Sequence, residues 1–469
     1  MWHHLLASTG QHGIISNTLT VFSVLLGLAV VIAVLTKFVR IPYTIALVLA
    51  GLLVAILGAA PEGAVITQEL VFALFLPPLL FQAGLHLDLG SLTRRGRTVA
   101  VMAIPGVLLT TFAIACALVA LVPDAVAQSH GIWLPVLLLG SMLAPTDPIS
   151  VLAAFKTSGV PMDLKTLVEG ESLFNDGTGV VVFLIFLWAL FPVLRDGPPP
   201  PDAYAGGSQI TMVAYEAAGH AGEVDTEAPL QSGQATDLSV ANAVIEFIKL
   251  VGLGVIFGLG FGLAAFWLLK VLDDAVLENA ITVVLVWSTF LVAEQSGASG
   301  VIAVVVAGLI LGNYGKRLAM SKRTRDTINS FWESVDFIIN SLVFLLIGFE
   351  LQFIGGIEVL VRPETLLWIV ISYVALMGSR ACMVYCIAIL FGRNWPRGWK
   401  HVVFWSGIRG AIPLALVLAV PAGDLRDLLL PVAFGVVLIS LLLQGLTIPV
   451  LLRIVPLEEA DQPTAGAIS

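Results

Sequence analysis

The chain has 469 residues, of which 58% are hydrophobic and only 12% are charged, and its mean hydropathy is +0.99. A soluble globular protein carries about 25% charged residues, so the composition excludes that class and indicates a polytopic, all-α membrane protein. The formal net charge of −9 comes with no basic patch that contains interleaved aromatic residues, and we therefore expect no nucleic acid partner.

Apolar runs long enough to cross a bilayer, which takes about 20 residues, recur along the whole chain. We predict about thirteen transmembrane helices, at 17–36, 42–59, 67–87, 98–121, 132–154, 164–194, 240–269, 278–295, 298–314, 328–352, 364–391, 401–420 and 428–454. The first thirteen residues contain no Lys or Arg, so the first run is predicted to be a retained span and not a cleaved signal peptide.

The basic residues between these spans fall mainly in alternate loops. If the N-terminus is outside, the outer loops hold only Arg195, Arg362 and Arg426, and almost all other Lys and Arg lie on the inner side. The positive-inside rule therefore predicts a multi-pass protein of the plasma (inner) membrane, surrounded by lipid, with its N-terminus outside and its C-terminus in the cytoplasm. The predicted cytoplasmic tail, 456–469, is short and implies no soluble regulatory partner.

The fifth span contains the sequence Pro145-Thr146-Asp147-Pro148. Proline has no backbone N–H and its ring clashes with the preceding turn, so two prolines this close break the helix. Inside a membrane such a break is tolerated only within protein or beside a water-filled cavity. We therefore predict a broken helix here that lines a polar site.

The sixth span carries Glu171, Ser172, Asn175 and Asp176 within an otherwise apolar run. Residues four apart lie on one face of a helix, so these side chains form a polar wall. Ionisable groups at this depth are expensive and by default mark an ion or proton pathway.

The longest loop, 195–239, is rich in Pro, Gly and acidic residues and is predicted to be flexible, acidic and extracellular. The twelfth span then repeats the signs of a break, with Gly407, Arg409, Gly410 and Pro413 at mid-membrane depth. The two broken spans are seven apart and therefore run in opposite directions, which is typical of inverted repeats in transporters. We predict repeats at 1–194 and 271–455, joined by the loop and by a linking span at 240–270.

Charged residues near the breaks have predicted structural roles. Asp147 can offset the positive N-terminal ends of the half-helices, and Arg409 can offset the negative C-terminal ends. Arg380, in the eleventh span, is always charged and needs an acid. We pair Arg380 with Glu171, which leaves Asp176 as the free carboxylate.

A second acidic group lies on the tenth span. Glu333 and Asp336 are three residues apart on one helix face and are predicted to line a cytoplasmic funnel that attracts cations, although a solvated helix end explains them equally well.

Four motifs occur in order along the chain: Pro145-Thr146-Asp147-Pro148, Glu171-Ser172-x-x-Asn175-Asp176, Asn340-Ser341-Leu342-x-Phe344-Leu345-x-Ile347-Gly348 and Gly407-x-Arg409-Gly410. Together they resemble the monovalent cation:proton antiporters of the NhaP and animal sodium/proton exchanger type. One position departs from that family, because Gln82 stands where its members often have an acid.

The resemblance implies an NhaA-like antiporter fold with two broken crossing helices, a homodimer, and a core domain that moves like an elevator. It implies Asp176 as the shared proton and cation site, with Ser172 and Thr146 as further Na⁺ ligands. It also assigns Asp147 a part in ligation and Asn175 the first place of an Asn-Asp pair. No cofactor is implied, and the transported species would be Na⁺ or Li⁺ and H⁺.

Exchange at one carboxylate needs only competition between a cation and a proton, since burial penalises the empty, charged site. Because Asn175 is neutral, we expect one titrating group and electroneutral one-for-one exchange. A K⁺/H⁺ antiporter with the same mechanism and a passive cation channel are the alternatives. An enzyme is not expected: Gly297-Ala298-Ser299-Gly300 matches an intramembrane protease motif, but the only later histidine, His401, lies at a membrane edge.

Overall fold

The computed structural model describes residues 11–36, 38, 42–61, 66–67, 70–121, 132–191, 240–272, 274–390, 395–396 and 398–457. Over these residues every regular element is a helix. The predicted extracellular loop at 195–239 and the predicted tail beyond residue 457 lie outside the described residues.

Sixteen helices organise this part of the chain, with one further turn at Ile357–Leu360. They are α1 (Gln11–Thr36), α2 (Tyr43–Ile56), α3 (Leu70–His86), α4 (Leu89–Ala103), α5 (Pro105–Leu121), α6 (Trp133–Leu143), α7 (Ile149–Ser158), α8 (Met162–Leu190), α9 (Val240–Val271), α10 (Ala275–Gln295), α11 (Gly300–Leu318), α12 (Lys322–Phe353), α13 (Pro363–Leu390), α14 (Trp399–Trp405), α15 (Ile412–Leu418) and α16 (Asp424–Ile454).

Each of the thirteen predicted spans coincides with one of these helices or with a consecutive pair, so the all-α polytopic fold is confirmed. Within the described ranges, eight helical runs are long and apolar enough to cross a membrane: α4 with α5, α8, α9, α10, α11, α12, α13 and α16. Shorter apolar helices make up most of the rest.

Both predicted breaks are present. α6 ends at Leu143 and α7 begins at Ile149, and the Pro-Thr-Asp-Pro segment between them is not helical. Similarly, α14 ends at Trp405 and α15 begins at Ile412. The sequence reasoning therefore located both interruptions, because proline and glycine cannot continue a regular helix at little cost.

The helix that contains the fourth predicted span, 98–121, starts before that span. The helix begins at Leu89, where the carboxylate of Asp88 accepts a hydrogen bond of 2.7 Å from the Ser91 backbone N–H. This first part of α4 is amphipathic and carries three arginines, so it does not read as an apolar span. It is nevertheless helical because Asp88 satisfies a backbone donor that a helix start leaves unpaired.

Two pairs of helices approach each other through glycine. A Cβ added to Gly51 on α2 would overlap the backbone of α12 at Gly348, and a Cβ added to Gly84 on α3 would overlap the backbone of α11 near Gly308. Small residues let membrane helices pack backbone to backbone. Under the predicted inversion α2 corresponds to α11 and α3 to α12, so the two contacts would be equivalent. The repeat itself stays a prediction.

Candidate functional site

The two non-helical segments cross and are joined by a backbone hydrogen bond. The Asp147 N–H donates to the carbonyl oxygen of Ile408 at 2.7 Å. This bond connects the break after α6 to the break after α14. It gives one freed backbone donor a partner, which a broken helix in a membrane requires.

Charged side chains satisfy the helix ends at the crossing. Arg409 is buried, and its guanidinium donates to the carbonyl oxygens of Ala144 and Pro145, where α6 ends, at 2.8 and 2.9 Å. The Asp147 carboxylate accepts from the backbone N–H of Ile149, the first residue of α7, at 2.9 Å. A cation at a helix C-terminus and an anion at an N-terminus are the arrangement that the helix dipole favours.

The polar wall of α8 lies against the first break. The hydroxyl oxygens of Thr146 and Ser172 are 2.9 Å apart. The Asn175 amide donates to the Thr146 hydroxyl at 2.7 Å, and its carbonyl oxygen accepts from the Thr146 N–H at 3.2 Å. Asn175 is thus used on both sides to hold Thr146, and the structure brings together three of the residues that we predicted for cation binding.

Asp176 lies beside this group on α8 and is only 7% exposed. Its Oδ1 atom is buried and accepts no hydrogen bond from any described residue. A buried carboxylate oxygen without a partner is costly unless a proton or a cation occupies it. Among the site residues on α8, Asp176 is the one with a side-chain oxygen that lacks a partner.

Glu171 and Arg380 form a buried two-pronged ion pair, with N–O distances of 2.6 and 3.0 Å. Arg380 also donates to the carbonyl oxygens of Val403 and Phe404 at the end of α14, at 2.7 and 2.9 Å. The pair therefore connects α8 and α13 to the second broken helix, and it engages both oxygens of Glu171.

The two glycines of the Gly-x-Arg-Gly motif provide space for these charged groups. A Cβ on Gly407 would overlap the Arg380 guanidinium, and a Cβ on Gly410 would overlap the Asp147 side chain. Sequence reasoning treated these residues only as helix breakers. Their second role, close approach of the backbone to a charged side chain, depends on contacts between distant spans.

Ser440 and Gln444 are two supporting residues that the sequence reasoning missed. The Ser440 hydroxyl accepts from the Arg409 backbone N–H at 3.0 Å and donates to the Gln444 side chain at 2.7 Å. Gln444 in turn donates to the carbonyl oxygen of Trp405 at 3.3 Å. The available signal was a pair of polar residues four apart in the apolar span 428–454.

The predicted funnel residues lie on α12 and differ in their exposure. Glu333 is exposed and lines a groove of about 550 Å³ between α1 and α12. Asp336 is half-buried, and its carboxylate accepts from the Asn340 amide at 2.8 Å. Asp336 is close enough to Asp147 for the two carboxylates to interact electrostatically. The role of both acids as a cation-attracting funnel stays a prediction.

The donor set at the crossing consists of hard oxygen atoms: the Asp176 carboxylate and the hydroxyls of Thr146 and Ser172. Such ligands suit alkali cations and do not suit soft transition metals. No cluster of three or more His, Cys, Asp and Glu side chains that could hold a metal occurs among the described residues.

Comparison with known proteins agrees with this geometry. Residues 24–454 match the sequence model of a family described as "Sodium/hydrogen exchanger, transmembrane". The chain is 35% identical over 452 residues to the Na⁺/H⁺ antiporter ApNhaP of Aphanothece halophytica, a match that covers 94% of this chain and 75% of that protein. It is 33% identical over 453 residues to the Na⁺/H⁺ antiporter NhaP of Pseudomonas aeruginosa, with coverage of 91% and 95%.

The fold is also similar to a solved structure. The sodium proton antiporter MjNhaP1 of Methanocaldococcus jannaschii superposes with a TM-score of 0.67 at 18% sequence identity, over 93% of this chain and 99% of that one. At this identity the likeness concerns the fold alone.

Proposed function

Because the chain belongs to the sodium/hydrogen exchanger family, we propose that it is a secondary transporter that exchanges Na⁺ or Li⁺ for H⁺ across the membrane. The observation that carries the proposal is Asp176, a buried carboxylate with an oxygen that no described residue satisfies. It lies next to two crossed helix breaks and two hydroxyl groups, which is where a transported cation could lose its water.

The site works by competition at one carboxylate. A cation binds ionised Asp176 with help from the hydroxyls of Thr146 and Ser172, and a proton displaces it by neutralising the carboxylate. The loaded site has its charge compensated, whereas the empty carboxylate is penalised by burial and does not cross. This difference couples the two fluxes and prevents a leak.

The neighbouring residues hold the site. Both the amide nitrogen and the amide oxygen of Asn175 are hydrogen-bonded to Thr146, and Glu171 is paired with Arg380. One carboxylate then exchanges one cation for one proton, so the cycle is electroneutral. Asp147 contributes to ligation through its position at the start of α7.

Movement of the site completes the cycle. We assign alternating access to an elevator-type displacement of the helices that carry Asp176 and the two breaks. The protein works as a homodimer in the plasma membrane. Its N-terminus is outside, and the placement of Lys and Arg in alternate loops supports this orientation.

Proton flux across the membrane of proteoliposomes tests the proposal. The purified protein is reconstituted with an internal pH dye, and Na⁺, Li⁺ or K⁺ is added outside. We expect Na⁺ and Li⁺ to drive protons in the opposite direction in the wild type, and Asp176→Asn to abolish the signal. The matched control is Asp274→Asn, because Asp274 caps the start of α10 and asparagine keeps that cap.

Three results would change the conclusion. A response to K⁺ alone keeps the mechanism and changes the cation. Cation flux without proton counterflow favours the channel alternative. Normal exchange by Asp176→Asn would remove Asp176 from the site.

A further inference from the structure

A second cavity, of about 350 Å³, lies between α4, α8, α9 and α11. It is lined almost entirely by apolar side chains, among them Val99, Phe174, Val251 and Val305. Its volume is at the lower end of the range of ligand sites, about 300–1,000 Å³. The cavity does not include Asp176, although it reaches Gly177, the next residue of α8.

One side of the cavity faces the surroundings of the protein. Three of its lining residues are exposed: Thr93 and Ala100 on α4, and Ile104, which follows the last residue of α4. On α9, Ile248 and Ile256 lie one turn or less from the lining residues Val251 and Val255 and are both 63% exposed. In a membrane protein, exposed isoleucines beside an apolar cavity indicate an opening towards lipid and not towards water.

A positively charged side chain, that of Arg97, lies along the same edge of α4. Arg97 is exposed and is four residues after Thr93 and three before Ala100, so it shares the helix face that borders the opening. The neighbouring Arg94 and Arg95 both pair with Asp163 of α8, at 3.0 and 3.3 Å. Within the described parts of the chain, Arg97 makes no ion pair.

The length of α4 and α5 places Arg97 near the membrane surface. Together they run from Leu89 to Leu121, 33 residues, which is about 50 Å of helix against about 30 Å of hydrocarbon. The arginine-bearing start of α4 therefore extends beyond the hydrocarbon, and Arg97 can reach the headgroup layer with its long side chain.

We propose that this cavity binds one acyl chain of an anionic phospholipid, with the phosphate of its headgroup on Arg97. The apolar lining accepts the chain, the lateral opening admits it from the bilayer, and the cation at the edge selects a negative headgroup. The acyl chain would lie beside Gly177 of α8, the helix that carries Asp176, and would contact α9 and α11.

Photoaffinity labelling tests the site. The protein is placed in phosphatidylcholine nanodiscs with a trace of phosphatidylglycerol that carries a diazirine at the end of one acyl chain, and the labelled residues are mapped after irradiation. We expect adducts on Phe174 and Val251. The same diazirine on phosphatidylcholine should label these residues several times less, because Arg97 contributes a favourable interaction only with a net negative headgroup.

Variants separate the chain site from the headgroup site. Ala100→Phe fills the opening and should reduce labelling in the cavity by about fivefold or more, and Arg97→Gln should remove the preference for phosphatidylglycerol. The controls are Ala264→Phe, at an exposed position of α9 that does not line the cavity, and Arg323→Gln, at an exposed position of α12. Both controls should label like the wild type.

The outcomes decide the proposal independently of transport, because the readout is attachment of lipid. Adducts confined to outward-facing residues such as Ile248 and Ile256 would overturn it, whether lipid stays at the surface or a second copy of the chain covers the opening. Equal labelling by the two headgroups would also overturn it. Displacement of the probe by inorganic phosphate, at constant lipid composition, would reassign the Arg97 site to a free anion.

Discussion

At the scale of single residues, Glu171 and Arg380 form a buried ion pair whose two charges depend on each other. Both side chains are 3% exposed or less, and Arg380 also satisfies two carbonyl groups at the end of α14. Removing one partner of a buried ion pair destabilises the fold more than removing an ordinary hydrogen bond, because the other charge stays buried without compensation. The pair therefore holds the position of the second break in relation to α8.

We expect either Glu171→Gln or Arg380→Met to lower the free energy of unfolding by about 3–5 kcal/mol, because each leaves one buried charge without its counter-charge. In the double variant both charges are gone, so its cost should be at least about 1 kcal/mol less than the sum of the two single costs. Denaturant titration of the purified protein in micelles measures the three values.

The same cycle on Lys165 and Glu169 is the control. This pair lies at the start of α8, has a distance of 3.4 Å, and is partly exposed. A surface pair spaced four residues apart couples by only about 0.3–0.5 kcal/mol. An additive cycle at Glu171 and Arg380 would contradict the idea that they act as a unit.

The sequence was informative about which residues form the site. Polar residues inside apolar runs are rare enough to be singled out, so Thr146, Ser172, Asn175 and Asp176 could be grouped before any geometry was known. Ser440 and Gln444 could not be assigned in this way. Their role depends on the depth at which α16 passes the second break, which the spacing along one helix does not reveal.

At the scale of the helices, the second break depends on the absence of side chains at Gly407 and Gly410. A Cβ on Gly410 would occupy the space of the Asp147 carboxyl group, which at present accepts from the N–H of Ile149. The Gly-x-Arg-Gly motif is therefore a packing requirement as well as a helix break.

We expect Gly410→Ala to displace Asp147 and to lower the exchange rate in proteoliposomes by about tenfold or more, since small misplacements of a reacting group have large effects on rate. The variant should remain folded, because overpacking costs only about 1–3 kcal/mol. Gly378→Ala on α13 is the matched control: a Cβ there meets no atom within 4 Å, and its exchange should be unchanged. Wild-type exchange by Gly410→Ala would show that the close approach to Asp147 is dispensable.

The helices could be predicted better than their ends. Hydropathy located every span because a bilayer imposes the same length on each of them. It did not reveal that the helix of the fourth span extends back to Leu89, since the first part of α4 carries three arginines. It also could not foresee which helices pack at glycine, because Gly51 and Gly348 meet only after nearly 300 residues of intervening chain.

At the scale of the whole molecule, the number of titrating groups decides whether transport moves charge. The residue before Asp176 in the sequence is the amide Asn175, which is hydrogen-bonded to Thr146, and Glu171 is paired with Arg380. Under the proposed mechanism, Asp176 is then the single group whose occupant changes between the two halves of the cycle. Each turnover should therefore carry one positive charge in each direction.

We predict that the exchange equilibrium is independent of the membrane potential. Moving one net charge through 100 mV is worth about 2.3 kcal/mol, which would shift the Na⁺ gradient that balances a fixed pH gradient by about 50-fold. We expect no shift when proteoliposomes are clamped at that potential with valinomycin and a K⁺ gradient, and no steady current under ion gradients. Vesicles that contain Asp176→Asn correct for passive leak. A balance point that moves with the potential would mean that a second group releases or takes up a proton in each cycle. The carboxylate of Asp147, in the break between α6 and α7, is the candidate.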